Sequence, residues 1–254
     1  MASVFSKDFF AGISFWKTLL AVGLVLYLIL IPISNIGNPQ LFLIKWASSS
    51  SPSQPVSGFS RTNLSHIAFG LLGSVKTWPH RRGYLEAWWR PNKTRGYVYL
   101  DRPPTPDLLP WPQTAPPYRI VDNISEIFRS VKPRFELMPR MVHGILELFR
   151  EEHDDMRWIV MGDDDSIFFV DNIVDVLAEY DHTKYVHYIR ERTWFSSEFG
   201  GGGIVLSYPL AKALVKDMDG CLVRYAQSSS ADLITMTCIA DIGVNLTPHK
   251  GIHQ

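Results

Sequence analysis

Three consecutive carboxylates, Asp163-Asp164-Asp165, stand at the exit of the apolar run Trp158-Ile159-Val160-Met161 and its closing Gly162. Adjacent acids repel one another. A folded chain keeps them together with a divalent cation, a helix N-terminus or bulk water. The run before them is short, apolar and rich in strand formers, which predicts a buried strand. A helical spacing of Ile173, Val174 and Leu177 follows. In open α/β sheets, ligands bind in the crevice at the carboxyl ends of strands, so this placement suits a metal ion and a phosphate. The same acids also read as turn residues, with Asp165-Ser166 capping the next helix. The pattern argues against a calcium EF-hand, because its loop needs a glycine at position six and a glutamate at position twelve. Phe168 and Val174 stand there.

A second stretch is the glycine run Phe199-Gly200-Gly201-Gly202-Gly203-Ile204. Glycines permit backbone conformations closed to other residues and let a ligand approach the main chain. No Walker lysine follows, which excludes a simple phosphate-binding P-loop; a mobile hairpin is the other reading. Asp232 opens the last helical pattern, and His249 and His253 lie in the terminal segment.

The elements that must position these groups can be traced in order. His66 to Leu72 reads as a first strand, followed by Gly73-Ser74. A helical pattern runs through Arg81, Leu85 and Trp88-Trp89, and Arg95 to Asp101 alternates into a second strand that ends on a carboxylate. Strand, helix, strand at this spacing predicts a right-handed βαβ unit, hence an α/β fold with a largely parallel sheet. Arg102 to Tyr118 holds seven prolines and reads as an irregular crossing loop. Pro139 suits the first position of a helix whose face carries Met141, Val142, Ile145, Leu146 and Phe149. A helix near Asn172 to Tyr180 and a strand over Lys184 to Ile189 follow the acids. Ser207-Tyr208-Pro209 then opens a helix with Leu210, Leu214 and Met218 on one side and Gly220 as its stop, and the last helix spans Asp232 to Ala240.

Charge is balanced, with 25 basic and 25 acidic residues, so no strong field attracts nucleic acid. From Thr18 to Ile44 there is no charged residue. About 20 such residues span a bilayer, and without a clear cleavage site after the run an uncleaved signal anchor is expected over a cleaved signal peptide. The chain then divides into a cytosolic tail (1–17), a membrane anchor (18–44), a Ser/Pro-rich stem (45–62) and a folded domain (63–254). Four of the seven asparagines, Asn63, Asn92, Asn123 and Asn245, head glycosylation sequons. They favour a luminal domain. There Cys221 and Cys238 either form a disulfide or stay as two buried thiols.

Three blocks together resemble a known family: Val-Met-Gly-Asp-Asp-Asp-Ser-Ile-Phe-Phe, Phe-Gly-Gly-Gly-Gly-Ile-Val-Leu-Ser-Tyr-Pro-Leu-Ala and Gly-Ile-His-Gln. They are similar to a Fringe-related family of plant proteins placed with glycosyltransferase family 31 and long labelled a domain of unknown function. The resemblance is strong over residues 119–254 and weaker over 63–101. It implies a GT-A fold, Rossmann-like, in a single-pass type II Golgi membrane protein. It further implies inverting transfer of a sugar from a UDP-sugar to a glycan or glycoprotein hydroxyl, through a β-1,3 linkage. A divalent ion, manganese or magnesium, would stabilise the leaving diphosphate. Asp163, Asp165 and His253 are the expected metal ligands, with Asp163, Asp164, Ser74 and Asp101 on the cofactor side. Gly200, Gly201, Gly202 and Gly203 form the expected sugar or acceptor loop. Asp232 is the expected base, with Glu198 a poorer choice. The family pattern has an acidic pair where this chain has Asp232-Leu233, and related sequences continue past the His-Gln pair. A C-terminally truncated domain is therefore expected, with a non-catalytic nucleotide-sugar or glycan-binding protein as the alternative to an enzyme. A luminal lectin-like module using the acids for calcium is a third reading.

Overall fold

The computed structural model describes residues 60–151, 155–188 and 203–245. Within them lies a mixed α/β arrangement with a six-stranded sheet in the order β3-β2-β1-β4-β6-β5. The strands are β1 (Ile67–Leu72), β2 (Arg95–Leu100), β3 (Tyr118–Ile120), β4 (Trp158–Asp163), β5 (His187–Tyr188) and β6 (Ile204–Ser207). The helices are α1 (Trp78–Glu86), α2 (Leu137–Arg150), α3 (Val170–Leu177), α4 (Tyr208–Leu214), α5 (Met218–Arg224) and α6 (Ala231–Asp241).

The four strands β3, β2, β1 and β4 are mutually parallel, whereas β6 pairs antiparallel with both β4 and β5. The strand at the centre is the apolar run that leads to the acids, and it is buried throughout, with Trp158 and Ile159 at 0 % exposure. Alternation of side chains sends Ile159 and Met161 to one face and Trp158 and Val160 to the other. The first face packs against α2, α4, α5 and α6 through Val142, Ile145, Leu148, Leu210, Leu222 and Ile234. The second packs against α1 and α3 through Trp78, Leu85, Val170 and Leu177. A strand covered on both faces is apolar at consecutive positions, as a parallel sheet requires.

Several sequence-based boundaries shift. The first strand starts at Ile67 because His66 closes a one-turn 3-10 helix capped by Asn63. The proline-rich crossing ends in β3, a three-residue edge strand whose short pattern carries no alternation to recognise. Ile204 to Ser207 forms β6 rather than a bare lead-in to a helix. Gly220 lies inside α5 rather than stopping a helix: the chain bends through a 3-10 turn at Val215–Asp217 and resumes at Met218. The helix expected to begin at Pro139 begins two residues earlier, at Leu137. No helix of the described residues is long and apolar enough to cross a membrane. The expected anchor at 18–44 lies outside the described residues, as do the tail and most of the stem.

Candidate functional site

The sheet reverses direction of growth at β1, which has β2 on one side and β4 on the other. Such a switch point opens a crevice beyond the carboxyl ends of its two strands. Hydrogen bonds lock those ends in register. The Asp164 amide donates to the Leu72 carbonyl at 2.9 Å, and the Gly73 amide donates to the Tyr99 carbonyl at 2.9 Å. Ser74, just beyond β1, and Asp163 from β4 therefore face one cleft of about 210 Å³, lined also by Thr77, Arg81, Arg140 and Asp164.

The three acids have different surroundings. Asp164 is 1 % exposed and both of its carboxylate oxygens are engaged. Oδ1 accepts from Arg81 Nη1 at 2.7 Å and Oδ2 accepts from Thr77 Oγ1 at 2.8 Å. A buried carboxylate survives only when paired and hydrogen-bonded, and α1 supplies both partners. Asp165 is more exposed and pairs with the other end of the same guanidinium, Arg81 Nη2, at 3.1 Å. The Asp163 carboxylate makes no hydrogen bond or ion pair among the described residues, while its backbone amide donates to Ser166 Oγ at 2.9 Å. Its pKa is pushed up to about 7, first by burial and then by the charges of Asp165, Asp164 and Asp232, with Arg81 pulling the other way. Asp164 thus serves the fold, and Asp163 is the carboxylate left to meet a ligand.

The loop that follows the acids is clamped from outside. Trp88 Nε1 donates to the Ser166 carbonyl at 3.0 Å, and the Phe168 ring packs against Trp88 and Phe69 with centroids 5.0 and 5.8 Å apart. Arg90 grips Asp171 at both oxygens, at 2.8 and 2.6 Å, which fixes the first turn of α3. Asp165-Ser166 does not cap that helix; Phe169 occupies the cap position.

Asp232 comes to the same place from α6. It shares a small cavity of about 40 Å³ with Asp163, Ser166, Gly203 and Thr235, room for a water molecule or two. Burial raises its pKa as well. Leu233, where the sequence lacks a second acid, is 42 % exposed and does not line that cavity. Gly203 has φ +75, and a Cβ there would stand 2.7 Å from the Met161 carbonyl. Only glycine lets β6 start so close to β4 beside the acids.

Asp101 follows β2, and its Oδ1 accepts from the Val75 amide at 2.8 Å, tying down the loop that carries Ser74. Gly200, Gly201, Gly202, Glu198, His249 and His253 lie outside the described residues. Cys221 and Cys238 are joined by a disulfide linking α5 to α6, with Cα atoms 5.8 Å apart. Asn63, Asn92, Asn123 and Asn245 are all exposed.

Two arginines of the site carry no motif. Arg81 comes from α1, and Arg140 reaches from α2 to the Gly73 carbonyl at 3.4 Å through Nη2, with its buried Nε lacking a partner. In sequence, Arg81 lies on the helix after the predicted first strand and Arg140 on the helix before the acid-tipped strand. Elsewhere, Asp122, His143 and Glu147 bring ligand-type atoms within 4.8 Å of one another. His143 Nδ1 and the Asp122 amide both contact Glu147 Oε1, and Arg150 holds Asp122. That group is internally satisfied.

The donor set at β4 fits a hard divalent cation. It offers carboxylate oxygens, one of them without a partner, in a concave site where like charges accumulate. Asp163 and Asp165 would hold such an ion, and Asp164 would not.

Comparison with known proteins comes in two parts. A family described as a protein of unknown function, DUF604, matches residues 191–254. The chain is also similar to a mouse (Mus musculus) protein named beta-1,3-glucosyltransferase, 28% identical over 119 residues, which is 44% of this chain and 24% of the mouse protein. The human (Homo sapiens) protein of the same name is 27% identical over 119 residues, 44% of this chain and 23% of its own length. The chain spans about a quarter of the length of these two relatives.

Proposed function

We propose that the chain is a Fringe-related glycosyltransferase, a reading that the DUF604 match and the two similar beta-1,3-glucosyltransferases support, and that it moves a sugar from a UDP-sugar to a glycan hydroxyl with inversion, in a GT-A fold, forming a β-1,3 linkage. The observation that carries this reading is the meeting of Asp163 and Asp232 across one small cavity, beside a cleft that presents Arg81, Arg140 and Ser74.

Each residue has a role its position supports. Asp163 and Asp165 would hold the cation, which when bound would stabilise the negative charge developing on the diphosphate. Ser74 and Arg140 face the cleft where that diphosphate fits. Asp232 takes the proton of the acceptor hydroxyl. Its raised pKa, caused by burial, makes it a stronger base than an exposed carboxylate. Gly203, at the close start of β6, walls the same small cavity as Asp163 and Asp232. The relatives' name points to glucose as the first donor to try. The run at 18–44 and the exposed sequon asparagines support a type II membrane protein with its domain in the Golgi lumen.

Release of UDP from a panel of UDP-sugars, with manganese or magnesium and a glycan acceptor, tests the reading. The wild type is expected to turn over at least one donor. Asp232→Asn is expected to lose 10²-fold or more in rate, the scale of a positioned base, while still binding UDP. Binding of UDP with no turnover of any donor would instead assign a non-catalytic nucleotide-sugar or glycan-binding protein. Calcium binding without nucleotide affinity would remove both.

A further inference from the structure

Arg81 is shared between two carboxylates that have different duties. Its Nη1 is committed to Asp164, which is buried and has its other oxygen on Thr77. Its Nη2 rests 3.1 Å from Asp165 Oδ2, and the side chains of Arg81 and Asp165 are 41 % and 43 % exposed. A divalent cation that takes Asp165 meets a guanidinium already seated on the same carboxylate. Two cations so close repel, and one must leave or be neutralised. The Nη1 end cannot leave without stranding the buried Asp164 charge. The Nη2 end can turn, because the Arg81 side chain lines a cleft of about 210 Å³ that also presents Arg140 and Ser74.

We propose that Arg81 is a positioning residue that couples cation binding to diphosphate binding: it occupies Asp165 until both ligands arrive, then passes from that carboxylate to a diphosphate oxygen. This rests on the functional reading above and adds to it an order of events. Free metal binds weakly, since it must displace a guanidinium without compensation. Metal with a nucleoside diphosphate binds well, because the diphosphate neutralises both cations and receives the released Nη2. The bidentate fork of arginine is needed to hold Asp164 while reaching elsewhere; a lysine ammonium is a point charge and cannot span the two groups.

The measurement is a titration of the full-length chain with Mn²⁺, followed by electron paramagnetic resonance, with and without saturating UDP and corrected for the Mn²⁺–UDP complex in buffer. In the wild type, UDP is expected to raise Mn²⁺ affinity roughly tenfold or more, a usual size for coupled sites. Arg81→Gln is expected to bind Mn²⁺ alone more tightly than the wild type and to lose most of the gain from UDP. Arg81→Lys, which keeps the charge beside Asp164 and so protects the fold, is also expected to lose most of the gain. Equal coupling in the wild type and Arg81→Lys overturns the proposal, as does a wild type in which the two ligands bind independently. A crystal structure of the wild type with both ligands decides without any variant. Nη2 on a diphosphate oxygen supports the handover, and Nη2 still on Asp165 with the metal bound refutes it. If neither ligand binds the wild type, the functional reading itself fails, an outcome distinct from tight but uncoupled binding.

Discussion

Burial, ahead of its charged neighbours, pushes the Asp163 carboxyl from its ordinary value of 3.8 up to about 7. Between those two values the native state holds a proton that the unfolded chain has released. The proton-linked stabilisation is therefore fully present below about pH 3.8 and is lost as pH rises through about 7. In the metal-free protein, Asp163→Asn is expected to abolish this component. The variant should melt several degrees higher than the wild type at pH 8, and no higher at pH 4, by calorimetry in the presence of a chelator. Identical pH profiles for the two proteins would mean that Asp163 is solvated and not strained by its neighbours. The triplet itself was legible in the sequence, because charge repulsion between adjacent acids demands an explanation wherever it occurs. The division of labour within it was not. Asp164 becomes structural only because Arg81 and Thr77, more than eighty residues earlier, meet it across the β1–β4 crevice. A carboxylate's partner is a tertiary fact, and no local pattern encodes it.

Elements were readable where their period was long and their faces distinct. Helix α2 and strand β4 announce themselves by spacing; α6 was expected from Asp232, and its cap one residue before Ala231 is supplied by Ser230, whose Oγ accepts from the Leu233 amide at 3.2 Å. Strand β6 was hidden, since four residues squeezed between a glycine run and a Tyr-Pro helix start carry too little alternation to be recognised. Its geometry depends on Gly203. Alanine there would need a positive φ and a backbone approach of 2.7 Å from Cβ to the Met161 carbonyl. Gly203→Ala is expected to cost more than about 1 kcal/mol, read by urea denaturation, and to weaken turnover because the same residue walls the cavity between Asp163 and Asp232. Unchanged stability would show that β6 can shift outward without loss. Helices α5 and α6 are held by the Cys221–Cys238 bond across a separation of 17 residues. Sequence left that pairing open beside two buried thiols, because two cysteines of this spacing meet only if the intervening turn folds both helices back. Replacing both with alanine is expected to remove about 3 kcal/mol of stability, and a double variant as stable as the wild type would limit the bond to an oxidative by-product.

At the scale of the whole molecule, the sheet does two things at once. Its two apolar faces divide the helices into separate cores, α1 and α3 on one side and α2, α4, α5 and α6 on the other. Its switch point between β1 and β4 then gathers one polar group or more from each side into a single cleft. Thr77 and Arg81 come from the α1 side, Arg140 comes from the α2 side, and Asp163 and Asp164 come from the end of the strand between; Asp232 of α6 meets Asp163 in the smaller cavity alongside. A ligand in that cleft bridges both cores, so it should stabilise the domain globally and not merely order a loop. With manganese and UDP together at about 100 times their dissociation constant, binding adds about 2.7 kcal/mol. For a domain of this size that corresponds to a rise of roughly 5–10 °C in melting temperature. Asp232→Asn is expected to keep the rise, since its carboxylate addresses the acceptor and not the donor. Asp165→Ala is expected to lose most of it, because one of the two carboxylates that hold the cation is gone. The comparison separates donor binding from catalysis in one experiment. A shift that survived Asp165→Ala in full would place the nucleotide somewhere other than the crevice between β1 and β4.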